Sequence, residues 1–147
     1  MKAFVLTGFD RAPEFADIAE PQPGPGEIRV RVHATSVNPV DHMIRSGFFR
    51  AVQEYRFPAI FGRDLAGMVD AAGDGVTRFR EGDEVYGFVK RDYIGDGTFA
   101  EYVVVPADFF VAADQWRRAR ADGSHRIHQR PLHPVAGQPR PPECPRR

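Results

Sequence analysis

The stretch Glu27-Ile28-Arg29-Val30-Arg31-Val32-His33-Ala34 decides the fold class. Ile28, Val30 and Val32 alternate with Arg29, Arg31 and His33, so one face is buried and the other wet, the period-two pattern of a β-strand. Working outward, similar patterning places strands at Lys2 to Leu6, Asp64 to Ala72, Glu84 to Val89, Phe99 to Val105 and Phe109 to Ala112. Between them stand PQPGPG (21–26), GDG (73–75), EGD (81–83) and GDG (95–97), where glycine supplies positive φ and proline fixes φ while removing a donor. Only Pro39 to Ser46 invites a helical turn. Many short strands with frequent turns predict a mainly β barrel or sandwich.

The chain has 147 residues, 42% of them hydrophobic, which suffices for one soluble domain with a real core. No apolar run approaches the roughly 18 residues of a membrane span, and the N-terminus lacks a charged segment leading into an apolar one. A cytoplasmic protein with no membrane partner is therefore expected. The single cysteine, Cys144, excludes an internal disulfide framework and any zinc site built from several thiolates. The balance of 20 basic and 20 acidic residues hides two unlike parts: residues 1–113 hold 12 basic and 17 acidic residues, residues 114–147 eight arginines and three acids. All 12 phenylalanines lie at or before Phe110, whereas Trp116, Ile127, Leu132 and Val135 are the large apolar residues of the tail. We therefore expect a folded domain over residues 1–112 and an irregular, disordered Arg/Pro-rich tail over 113–147, whose burial cannot offset its ordering entropy.

Three segments carry a family resemblance: PGPGEIRVRVHATSVNPVDHMIRSG (23–47), FPAIFGRDLAGMVDAAGDGVTRFREGDEVYG (57–87) and TFAEYVVVP (98–106). In this order and spacing they resemble the N-terminal, GroES-like catalytic domain of the medium-chain dehydrogenase/reductase superfamily, which implies a partly open β-barrel over residues 1 to about 112. Within that superfamily the chain is most similar to the zinc-independent, NADPH-dependent quinone oxidoreductase type. Zinc alcohol dehydrogenases resemble it too, but place a cysteine where Asn38 stands and a His-Glu pair where Arg63-Asp64 stands. An amide and a guanidinium cannot replace a thiolate and an imidazole on Zn²⁺, so no zinc is expected. The resemblance implies hydride transfer from NADPH to a small-molecule quinone or α,β-unsaturated carbonyl, with the protein holding substrate against the nicotinamide.

The resemblance places Asn38 near the nicotinamide, which makes it the catalytic candidate, its amide suiting a carboxamide or a developing enolate oxygen. Asp41 and His42 follow closely, as a proton relay would, although Asp41 equally suits a helix cap and His42 an exposed surface. Met43 stands where related quinone reductases often carry a tyrosine approaching the nicotinamide, and a thioether cannot reproduce the phenol's hydrogen bond. Asp64 either lines the cleft or accepts a structural hydrogen bond. Phe48, Phe49, Tyr55 and Phe57 suit a flat quinone, or plain packing. Gly95-Asp96-Gly97-Thr98-Phe99-Ala100 fits the loose dinucleotide fingerprint, but a β-branched run follows it instead of a helix, so a strand entry is expected.

In the family a Rossmann-type domain follows where this sequence turns irregular, and no β-α-β pattern with a glycine fingerprint follows Ala113. A truncated chain, inactive alone, is therefore expected. A non-enzymatic GroES-like binding or assembly module, self-associating into a homo-oligomer through exposed surface, is the alternative reading. Arg117, Arg118 and Arg120 beside Trp116 are too few to make a nucleic-acid site, and His125, His128 and His133 fit no standard metal spacing. The tail's composition resembles GC-rich DNA read out of frame, whether by a frameshift or by a sequencing error imitating one near the codons for Ala112 to Asp114. Translating the same DNA in its other two frames should reveal alternating strands and helices with a G-x-G-x-x-G-like turn; finding neither frame open would refute the frameshift.

Overall fold

The computed structural model describes residues 1–112, and the expected tail over 113–147 lies outside the described residues. The chain runs β1 (Lys2–Leu6), β2 (Glu14–Asp17), β3 (Glu27–Ala34), α1 (Pro39–Arg45), β4 (Glu54–Tyr55), β5 (Ala59–Ile60), β6 (Asp64–Ala72), β7 (Glu84–Phe88), β8 (Tyr93–Ile94), β9 (Tyr102–Pro106), a 3₁₀ turn (Ala107–Phe109) and β10 (Phe110–Ala112). A five-stranded antiparallel sheet has the order β10-β7-β6-β3-β9, a three-stranded sheet the order β2-β1-β5, and β4 pairs β8 in parallel. The fold is mainly β with one short helix, and its sheets do not close on each other into a barrel.

The alternation in β3 does what its pattern predicts. Ile28 and Val30 are fully buried and join Leu65 and Val69 of β6, Val85 of β7 and Val103 and Val105 of β9 in the main core. Arg29, on the opposite face, donates to Asp70 across the β3–β6 pair at 2.7 Å and lies over the Tyr102 ring. A second core of Leu6, Ile44, Ala59, Phe61 and Ile94 packs the apolar side of α1 against the small sheets. Burying such side chains supplies roughly 1.5–3 kcal/mol each, so two contiguous cores hold the sheets together despite their short strands.

Expected strand boundaries move at β7, β9 and β10. Residues 99 and 100 do not extend β9: Phe4 N–H donates to the Phe99 carbonyl at 2.7 Å, Phe99 N–H donates to the Phe61 carbonyl at 2.8 Å, and Ala3 bridges Ala100. That segment is claimed by β1 and by the turn before β6, so β9 begins at Tyr102. Phe109 belongs to the 3₁₀ turn, and Val89 lies just past β7 while still donating to the Arg63 carbonyl at 2.7 Å. β2, β4, β5 and β8 were not expected; at two to four residues they are too short to display a period. Among the described residues no helix is long and apolar enough to cross a membrane.

Gly67 sits opposite Val32 in the β3–β6 pair, where a Cβ would run into the Arg31 carbonyl. Backbone cannot yield as a side chain can, so Gly67→Ala should destabilise the domain by about 1–3 kcal/mol, read as a lower urea midpoint. An unchanged midpoint would show that the two strands do not approach this closely.

Candidate functional site

Asn38 precedes Pro39 in extended geometry (φ −120°, ψ 157°) and is the N-cap of α1, with proline at the first helical position where no N–H is needed. The Asp41 carboxylate reaches back to accept the Asn38 N–H at 2.7 Å, and its other oxygen accepts the Gly62 N–H at 3.0 Å. Asp41 is only 6% exposed, so both bonds run in a poorly solvated place. Gly62 adopts φ +87°, and a Cβ there would strike Thr98 and the Phe99 ring. One carboxylate thus staples the helix start to the turn that launches β6, which carries Asp64 to Asn38.

The resulting cluster is tight. Asn38 Nδ2 donates to Asp64 Oδ2 at 2.8 Å and to Ser36 Oγ at 3.1 Å, while the Ser36 hydroxyl donates to the same Asp64 oxygen. The amide nitrogen carries two donors, and both bonds stay inside the cluster. Thr35 Oγ1 donates to the Asp64 carbonyl at 2.8 Å and lies 2.7 Å from the hydroxyl of fully buried Thr98. The hydrogen bonds from Ser36 and then Asn38 hold the Asp64 carboxyl below its ordinary range. Burial lowers the Arg63 guanidinium, an effect opposed by Asp41, Tyr55 and Asp96 nearby. Burial pushes the Tyr55 phenol up, and its hydroxyl donates to the Ile44 carbonyl at 3.1 Å.

Of the expected residues, Asn38, Asp41 and Asp64 converge, whereas His42 and Met43 stand apart. His42 is exposed and, with Arg45, Phe4, Phe61 and Phe99, lines a cavity of about 350 Å³. Both Asp41 oxygens are taken by backbone donors, so the helix-capping role is the one its geometry fills. Met43 is half-buried and contributes its carbonyl, which accepts from Ser46 Oγ and the Phe48 N–H, each at 3.0 Å. Phe9, Tyr55 and Phe57 pack on one another with ring centres 4.9–6.1 Å apart. Ser36, Thr35 and Thr98 were not singled out from sequence, because hydroxyls in loops carry no period; nor was the burial of Arg63, which interrupts no pattern.

The family profile described as the alcohol dehydrogenase GroES-like domain matches residues 24–115, well over half the chain. The chain belongs to the alcohol dehydrogenase GroES-like domain family. This GroES-like domain is 44% identical over 99 residues to the dehydrogenase orsE of Emericella nidulans, covering 65% of this chain and 27% of that protein. It is 35% identical over 96 residues to the chloroplastic quinone-oxidoreductase homolog of Spinacia oleracea, covering 65% and 29% respectively. In structure it resembles an alcohol dehydrogenase superfamily protein from Novosphingobium aromaticivorans, with a TM-score of 0.67 and 37% identity, over 76% of this chain and 34% of that one. The chain therefore spans about a quarter to a third of the length of these relatives.

Within the GroES-like frame, no group of three or more His, Cys, Asp or Glu that could hold a metal ion occurs among the described residues. The donor set at the cluster is an amide, a carboxylate and a hydroxyl. The Gly95-Asp96-Gly97 turn leads through residues 98–101 into β9 with no helix after it, and a Cβ on Gly97 would strike the Ile60 and Phe61 carbonyls. Its glycine serves close packing, and the turn is no phosphate cradle.

A carboxyl whose folded pKa is depressed adds stability that is present above its unfolded pKa and lost as pH falls through the folded one. Asp64 is such a group, with a small contribution because it lies near solvent. In Asn38→Ala one of its two donors is gone, so the Asp64 carboxyl, followed by NMR, should titrate at higher pH than in the parent. An unmoved titration would mean that the Asn38 amide does not bond Asp64 in solution.

Proposed function

We propose that this GroES-like domain is the substrate side of an NADPH-dependent oxidoreductase that reduces quinones or α,β-unsaturated carbonyls by hydride transfer. The observation that carries this reading is the Ser36–Asn38–Asp64 cluster, which sits in the fold of the alcohol dehydrogenase superfamily with a donor set unsuited to catalytic zinc. Relatives named quinone oxidoreductase in Rattus norvegicus and Homo sapiens, 38% and 36% identical over 73 and 89 residues, support the substrate class.

NADPH, when bound, supplies the hydride. The described residues hold no pyrophosphate-binding turn, so in this reading the chain works beside a dinucleotide-binding domain and contacts only the nicotinamide end. Asn38, fixed by Ser36 and Asp64, forms the polar floor against which the ring is held. In this reading rigid positioning lowers the entropic barrier to hydride transfer, and the proton that completes the reduction comes from solvent. The cavity beside His42 shares Asp41 with the cluster.

Mixing the 147-residue chain with NADPH and a simple quinone should leave nicotinamide absorbance unchanged, whereas the same chain joined to a homologous Rossmann-type domain should consume NADPH. Turnover by the isolated chain would contradict the division of labour, and an inactive, well-folded chimera would contradict the reductase reading.

A further inference from the structure

Three polar or charged side chains are buried among the described residues: Asp41, Arg63 and Thr98. Asp41 is satisfied by two backbone N–H groups and Thr98 by the Thr35 hydroxyl. Arg63 is different. It is 8% exposed, yet among the described residues its guanidinium makes neither a hydrogen bond nor a close ion pair. Asp41, Tyr55 and Asp96 act on it only at longer range. Its acidic neighbours are committed elsewhere, Asp41 to the backbone and Asp96 to the Tyr93 hydroxyl.

A guanidinium brings five donors and a permanent charge, and folding does not ordinarily bury such a group without a partner. Arg91 Nε, 3.8 Å from Asp96, is the one side-chain nitrogen or oxygen among the described residues that is sealed from solvent with no hydrogen-bond partner. The unpartnered Arg63 nitrogens are not sealed in that way and retain some contact with solvent. The chain neighbours of Arg63 are Gly62, whose N–H is held by Asp41, and Asp64, which is held by Asn38. The Asn38 donors are spent inside the cluster, and those of Arg63 are not.

We propose that Arg63 is an oxyanion-binding residue, whose free guanidinium edge receives a small carboxylate-bearing ligand through paired, charge-assisted hydrogen bonds beside the Asn38–Asp64 cluster. A planar carboxylate matches the guanidinium fork with two parallel bonds. The ligand's second oxygen supplies what no protein acceptor provides. Binding requires neither NADPH nor turnover, so failure of this inference leaves the reductase reading standing, and failure of the reductase reading leaves this one.

The test is an NMR titration of the ¹⁵N-labelled 147-residue chain with sodium acetate, matched against sodium chloride at equal ionic strength. The Arg63 Nε–Hε and Gly62 amide signals should shift saturably with acetate alone, while those of Arg50 and Arg91 stay put. In Arg63→Gln the saturable Gly62 shift should disappear. Should that variant fail to fold, Arg63→Lys, which keeps the charge but loses the fork, should bind acetate several-fold more weakly with a folded spectrum. Equal shifts in acetate and chloride, a surviving Gly62 shift in Arg63→Gln, or undiminished binding by Arg63→Lys would each overturn the proposal.

Discussion

The Asp41 carboxylate is the point on which the site depends. Its two oxygens hold the Asn38 N–H at 2.7 Å and the Gly62 N–H at 3.0 Å, and they do so inside the fold. The first bond caps the start of the helix and fixes the backbone at Asn38. The second fixes the turn from which Arg63 and Asp64 emerge. Because water competes poorly at a buried carboxylate, losing either bond would leave an unsatisfied N–H at a cost of about 1–3 kcal/mol, a large share of a small domain's stability.

From that constraint the rest follows in layers. The β3–β6 pair supplies a rigid floor, tightened where Gly67 lets the strands close up. Ser36 and Asn38 then converge on Asp64 above this floor, and Thr35 and Thr98 lock the backbone beneath it. The outcome is a polar cluster whose internal donors are all used, next to an arginine whose donors are not. In the proposed reading, chemistry at such a place rests on positioning and on charge, because an amide at Asn38 and a guanidinium at Arg63 are poor ligands for zinc.

Much of this was legible in the sequence, for reasons particular residues make plain. The alternation of Ile28, Val30 and Val32 against three polar residues fixed β3, and β1 and β6 follow the same logic to the residue. Pro39 after Asn38, with Asp41 three residues on, announced a capped helix. The strands of two to four residues were invisible because pairing, and not local pattern, makes them; residues 99 and 100 look like the start of a strand and serve β1 instead. At the site, the meeting of Asn38 with Asp64 spans 26 positions, and Ser36 joins it only through a tertiary turn. The burial of Arg63 had no local signal, since its environment comes from α1, Tyr55 and Asp96 together.

The account stands most directly on native-state hydrogen exchange at the Asn38 and Gly62 amides. If Asp41 pins both, the two should exchange slowly in the parent chain and accelerate together in Asp41→Asn, while amides in the β3–β6 ladder change less. Fast exchange at either amide in the parent, or acceleration of one without the other, would show that the helix and the turn are held independently and that no single carboxylate organises the site.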